Sequence, residues 1–217
     1  MRRHLAALAV TPLAMMAFAG PAAAQSHAGS PVTHLNERSR SAEAQWTSES
    51  GGLVTESGVM VYRTSAGTEL HLWRATYGPD GPSGVVVTSA DADSGFTFTI
   101  SRQLTTATVT ATDLPVLTCT LDEYGEPIGE CTTSTVDVTL TWTGEGKITR
   151  GSYTEHQKGD GYSLNVHATW TSRAASVAGS VTGFDLSAAN LSYASLSQNK
   201  QVKTGRCFGD ACQYMVK

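Results

Sequence analysis

The chain has 217 residues, a formal net charge of −4 and only 16% charged residues. That acidic balance argues against nucleic acid and anionic membranes as partners. The one extended apolar run, Leu5 to Ala19, is too short to span a bilayer comfortably, and no later run approaches that length, so no membrane span is expected.

Residues 1–24 read as a cleaved signal peptide. Arg2 and Arg3 give the positive start, the apolar run follows, and Ala22-Ala23-Ala24 before Gln25 is a small-residue cleavage site. Residues 25–45 are rich in Ser, Ala and charge without periodicity, which predicts a flexible lead-in. The folded domain is expected over 46–217.

Within that domain the signals are those of β-structure. Gly58 to Thr64 predicts a short strand, Ser65-Ala66-Gly67 a turn, and Thr68 to Tyr77 the next strand. The proline- and glycine-rich stretch from Gly78 to Pro82 is a break, followed by a strand from Gly84 to Thr88 and a turn over residues 90–95. Phe96, Phe98 and Ile100 alternate with threonines and share one strand face. Ala107 to Leu121 predicts a strand carrying Pro115, which cannot donate to a ladder and so marks an edge or a bulge.

Two similar stretches follow. Val136, Val138, Leu140 and Trp142 alternate with polar residues, and so do Leu164, Val166, Ala168 and Trp170. Each ends in Thr-Trp-Thr, which places both tryptophans on the apolar side of a strand and predicts both in the core. Lys147 to Gln157 lies between them, predicting a three-strand meander with that segment in the middle and a bulge at Gly151. Further strands are expected over 176–182 and 190–202. With no helical periodicity and turns at short intervals, the fold class is all-β. It is expected to be a single antiparallel β-sandwich, immunoglobulin-like or jelly-roll-like.

The four cysteines are Cys119, Cys131, Cys207 and Cys212. Export implies an oxidising compartment and disulfides. Of the three possible pairings the local one is favoured, Cys119 with Cys131 and Cys207 with Cys212. The spacings do not match paired zinc ligands, so no metal is expected.

Motifs for chemistry are absent. There is no Gly-x-Ser-x-Gly, no His-Glu-x-x-His and no phosphate-cradling loop. Two groups of residues remain as candidate sites. On the Thr68 to Tyr77 strand, Leu70 and Leu72 take one parity while His71, Trp73 and Tyr77 take the other, an aromatic face suited to a sugar ring or a partner protein. In the paired stretches, Asp137 and His167 lie on the polar parity, where a histidine beside a carboxylate could serve as a general base.

The Thr-, Ser- and Gly-rich strands and the tail Cys207-x4-Cys212 resemble secreted β-rich proteins of high-G+C Gram-positive bacteria. The tail and the earlier cysteine loop are also similar to the carriers of chromoprotein antibiotics of the neocarzinostatin type, which implies an immunoglobulin-like sandwich with two local disulfides. Here the segment between the cysteine pairs is much longer, and no binding residue carries over. The expectation is a secreted, monomeric, non-catalytic binding protein without a cofactor, contacting an extracellular glycan or protein. The alternatives are a secreted hydrolase using His167 and Asp137, or a structural component of the cell envelope.

Overall fold

A computed structural model describes residues 32–78, 81–159 and 162–207. They form β1 (Val32–Ser50), β2 (Leu53–Arg63), β3 (Thr68–Gly78), β4 (Gly81–Ala92), β5 (Phe96–Ile100), β6 (Thr106–Leu121), β7 (Thr132–Gly144), β8 (Thr149–Gly159), β9 (Tyr162–Val181) and β10 (Asn190–Cys207). The chain is all-β and antiparallel, and no helix among the described residues is long and apolar enough to cross a membrane.

All the strands belong to one 10-stranded sheet, and that sheet closes on itself. Its hydrogen bonds lead from β1 through β2, β3, β4, β6, β7, β9 and β10, and β10 pairs again with β1. A closed barrel thus stands where two separately bonded sheets of a sandwich were expected. Alternation along a strand specifies its buried face but not its neighbour, and closure rests on β10, which pairs with both β1 and β9.

The barrel interior is apolar and filled. Ala42, Ala44, Val61, Leu70, Val109 and Val138 are all fully buried from different strands. Trp142 on β7 is also fully buried, and its indole N–H crosses the interior to donate to the carbonyl of Glu43 on β1 (2.9 Å). Turns seal both ends. Leu104, held in the left-handed region (φ 53°) between β5 and β6, is 1% exposed and closes one mouth. Phe184, after β9, closes the other beneath the guanidinium of Arg74, which donates to the carbonyl of Gly183 (2.8 Å).

The outward parity is polar. Thr99 and Thr108 bond through their hydroxyls (2.7 Å), as do Thr97 and Thr110 (2.5 Å), and Thr139 and Thr141 continue the same rows on β7. Apolar inside and threonine outside is the reverse of the alternation in a barrel that spans a membrane.

Three strands run on past the barrel. The first part of β1 pairs only with β10, the last part of β10 pairs with the first part of β9, and β8 pairs with that part of β9 from its other side. The result is a four-stranded extension, ordered β8-β9-β10-β1, leaving the mouth sealed by Leu104.

This arrangement revises four expectations. Residues 32–45 are strand, not lead-in: the segment from Val32 lacks alternation because neither face of the extension is a conventional core. β8 does not lie between β7 and β9. Instead β7 pairs with Val181 to Ala175 and β8 continues in the same direction against Ser172 to Tyr162, so β9 is one long strand that absorbs the predicted strand over 176–182. Gly151 is not a bulge, since the register of β8 on β9 runs without a shift; it makes room for the Trp170 ring, whose atoms lie 2.3 Å from where a Cβ would stand. Trp170 itself is 39% exposed, not core.

Other details follow expectation. Pro115 lies just past a bulge between Ala111 and Leu114, on the part of β6 that pairs with neither β5 nor β4, and sits opposite Thr135 of β7 on its other side. The Cys119–Cys131 disulfide is formed and closes the loop after β6. Residues 1–24 and Cys212, and with them the predicted signal peptide and the second disulfide, lie outside the described residues.

Candidate functional site

The expected aromatic face exists as geometry. Leu70 and Leu72 are buried in the barrel, so His71, Trp73 and Tyr77 point outward from β3, each partly buried. Trp73 lies over Gly58 of β2, where a Cβ would stand 2.3 Å from the indole nitrogen. His71 is engaged on every side. Its Nδ1 bonds the carboxylate of Asp91, its Nε2 lies 3.2 Å from the hydroxyl of Tyr62, and the Tyr62 ring stacks on it at 5.4 Å between centroids. The Tyr62 hydroxyl also donates to the carboxylate of Glu69.

This Asp–His–Tyr chain has the connectivity of an acyl-transfer relay, but its electrostatics oppose that use. Burial raises the Tyr62 phenol above its ordinary range, and the Glu69 bond and the Glu69 and Asp91 charges push it further. A phenol held neutral by its neighbours is not an activated nucleophile. Tyr77 is pushed up to about 12, first by burial and then by its hydrogen bond to Glu56 and the charge of that carboxylate. Around the aromatic face the charges are therefore acidic and largely committed to their own side chains.

His167 and Asp137 are not brought together. Thr182, the residue after β9, donates its N–H to the carbonyl of Asp137, which fixes Asp137 at that end of β9. His167 lies 15 residues back along the same chain, roughly 50 Å of strand length at a rise of about 3.3 Å per residue. The two also occupy opposite faces: Asp137 is on the outer parity of β7, whereas His167 takes the parity that Ala175 and Val181 direct inward. Asp137 accepts the N–H of Asp113 (3.0 Å), supporting the left-handed residue (φ 54°) at the β6 bulge. The acid–base pair needed by a hydrolase is not assembled.

His167 instead belongs to a different surface. The parity that faces inward in the barrel continues without a register shift into the extension, where its described positions are mostly exposed. Its rows run across the strands: Arg150, Thr171, Gln198 and Arg40; then Ser152, Thr169, Lys200 and Arg38; then Thr154, His167, Val202 and Asn36. His156, Asn165 and Thr204 form the next row, and Lys158, Ser163 and Arg206 the last. Arg38, Arg150, Lys158, Lys200 and Arg206 are exposed, and Arg40 is partly so. Among the described side chains, no Asp or Glu occupies this face; Glu37 and Glu155 in the extension take the other parity. At strand spacings of about 4.8 Å and 3.4 Å per residue the face measures roughly 14 Å by 27 Å.

Two pairs of polar side chains between the cations are hydrogen-bonded from β8 to β9. Thr154 bonds the Nδ1 of His167 (3.1 Å), and the Nδ1 of His156 lies 2.6 Å from the Oδ1 of Asn165. At the base, Arg173 continues the same parity beside Gly144 and the Leu104 turn, and its Nε is buried without a hydrogen-bond partner. Among the described residues no group of three or more His, Cys, Asp or Glu is placed to hold a metal ion. The carboxylate of Asp122, in the disulfide-closed loop after β6, is used locally, accepting from the N–H groups of Tyr124 and Glu126 (2.8 and 2.9 Å).

The cationic character of this face was not anticipated. The signal was present in the sequence as Arg38, Arg40, Arg150, Lys158, Lys200 and Arg206, but these gather only when β1, β8 and β10 are set beside β9.

No family model and no curated protein matches the chain. A solved structure, the enduracididine biosynthesis enzyme MppR complexed with pyruvate, is similar at a TM-score of 0.23 and 9% identity, over 85% of this chain and 92% of that chain. Similarity at that level says nothing about fold or activity.

Proposed function

We propose that the chain is an exported, non-catalytic binding protein whose contact surface is the open face of the extension. One observation carries this reading: a face that would be core, were the barrel to continue, is instead exposed, cationic and free of carboxylates at its described positions. An isolated run of like charges destabilises a fold, so its concentration on one face asks for an anionic or polar partner. The Cys119–Cys131 bridge is compatible with an oxidising, extracytoplasmic compartment. The barrel, its interior lined by buried apolar side chains, serves as a support for the extension.

The test is a binding screen of the purified protein against extracellular glycans, envelope polymers and proteins. It is run beside the double variant Arg38→Ser/Lys200→Ser and beside Trp73→Ala. Binding is expected to be lost in the double variant and kept in Trp73→Ala. The opposite pattern would move the site to the outer face of β3, and turnover of any screened polymer would overturn the non-catalytic reading.

A further inference from the structure

The open face is more specific than a patch of charge. Its cations stand in two groups on the sheet, Arg40, Arg150, Lys200 and Arg38 in two adjacent rows at the barrel end and Lys158 and Arg206 at the tip, roughly 20 Å further along at about 3.4 Å per residue. Two cationic groups that far apart on one open face match an extended anionic polymer better than a single small anion.

The residues between the cations narrow the polymer. Most are hydroxyl and amide groups that can both donate and accept, Ser152, Thr154, Thr169 and Asn165 among them, beside His156, His167 and the apolar Val202. No Phe, Tyr or Trp occupies a described position on this face; Tyr153 and Trp170 lie on the opposite one. Single-stranded nucleic acids are held by bases stacked on aromatic rings, and membrane surfaces by apolar or aromatic anchors beside the cations. Sugar hydroxyls, in contrast, are met by the groups present.

Resting on the reading of this face as a contact surface, we propose that it binds an anionic glycan, a polysaccharide carrying carboxylate, sulfate or phosphodiester groups, laid along β9 from the barrel mouth to the tip. The charge pairs are exposed and hold the polymer mainly through released counterions, so binding is strongly salt-dependent. Arg173, with its unpartnered Nε at the barrel mouth, marks the end at which the polymer track stops.

The experiment measures affinity of the full exported protein for polygalacturonate, dextran sulfate and a glycerol-phosphate polymer. Uncharged dextran, double- and single-stranded DNA and anionic phospholipid vesicles are the comparison probes, all from 50 to 200 mM salt. At least one anionic glycan is expected to bind, with affinity falling by about tenfold or more across that range. Lys200→Glu and Lys158→Glu are each expected to weaken it by about tenfold. Lys203→Glu makes the same charge change on the opposite face of β10 and is expected to stay within about twofold. Melting temperatures of all three variants verify folding, and the exposed Lys158 on β8 remains informative if Lys200→Glu fails to fold.

Equal loss in Lys203→Glu, salt-independent binding, or tighter binding to DNA or vesicles would overturn the proposal. If uncharged dextran or a protein binds and is lost in Lys200→Glu, the glycan assignment fails while the contact surface stands. If no probe depends on Lys200 or Lys158, both readings fail.

Discussion

The barrel and the extension are built from the same strands and obey opposite rules. β7 and β9 carry nearly the same pattern, yet Trp142 is fully buried and Trp170 is 39% exposed. In β7 the apolar parity turns into the closed barrel and meets the other walls. In the first part of β9 the apolar parity turns outward, and the polar parity with His167 takes the inward-facing side. Alternation is thus a local property that says two faces differ; which face becomes core depends on whether the sheet closes around it. The charges divide along the same line. The barrel exterior carries Glu56, Glu69, Asp91 and Asp137, while the inner side of the extension carries Arg38, Arg150, Lys158 and Lys200.

The two tryptophans offer the largest contrast. Trp142→Ala is expected to cost about 3–5 kcal/mol, because it empties the barrel and removes the bond to Glu43, whereas Trp170→Ala is expected to cost about 1 kcal/mol. Denaturant unfolding measures both, and similar costs would mean that the extension is packed as firmly as the barrel. Next comes the bridge. Replacing Cys119 and Cys131 by serine releases a loop of separation 12 and is expected to cost about 3 kcal/mol. The same double variant should leave binding at the extension unchanged; loss of both would show that the two regions do not act separately.

The smallest effect is a pH response belonging to the barrel exterior. Tyr77 is pushed up to about 12 in the folded chain, above the ordinary 10 it regains on unfolding. Between those values the unfolded state has released its proton and the folded state has not, so stability is intact below pH 10 and falls as pH rises toward 12. Tyr62 shifts in the same direction. The melting temperature should decline over that interval, and Tyr77→Phe should decline less steeply. An unchanged slope would show that Tyr77 is freely solvated.

Much of the barrel was legible in the sequence. Strand positions from β2 to β7, the buried parity of Leu70, Leu72 and Trp142, the irregularity around Pro115 and the local disulfide all follow from alternation, turn residues and cysteine spacing. The extension was not legible, for two physical reasons. One face is wet and cationic and the other buries Val166 and Ala168 from β9 but no comparable run from β1, so the segment around Arg38 and Arg40 has no alternation to betray a strand. Net charge, in addition, is a sum over the whole chain: at −4 it conceals a cationic face balanced by carboxylates elsewhere. Of the candidate residues, His71, Trp73 and Tyr77 share a face because they share a strand. His167 and Asp137 were linked by pattern alone, and the pairing of β7 with the far end of β9 separates them.

The pairing of β1 with β10 has a kinetic consequence. It joins Val32 to Arg206, almost the whole described span, and the ring cannot close until that last strand is available. Contacts so distant in sequence must overcome a large loop entropy before they return any stabilisation, which places the rate-limiting step of folding late and slows it to the millisecond-to-second range typical of all-β topologies. Until then Val32 to Ser39 of β1 lacks a partner strand, whereas Arg40 to Ser50 can already pair with the neighbouring β2.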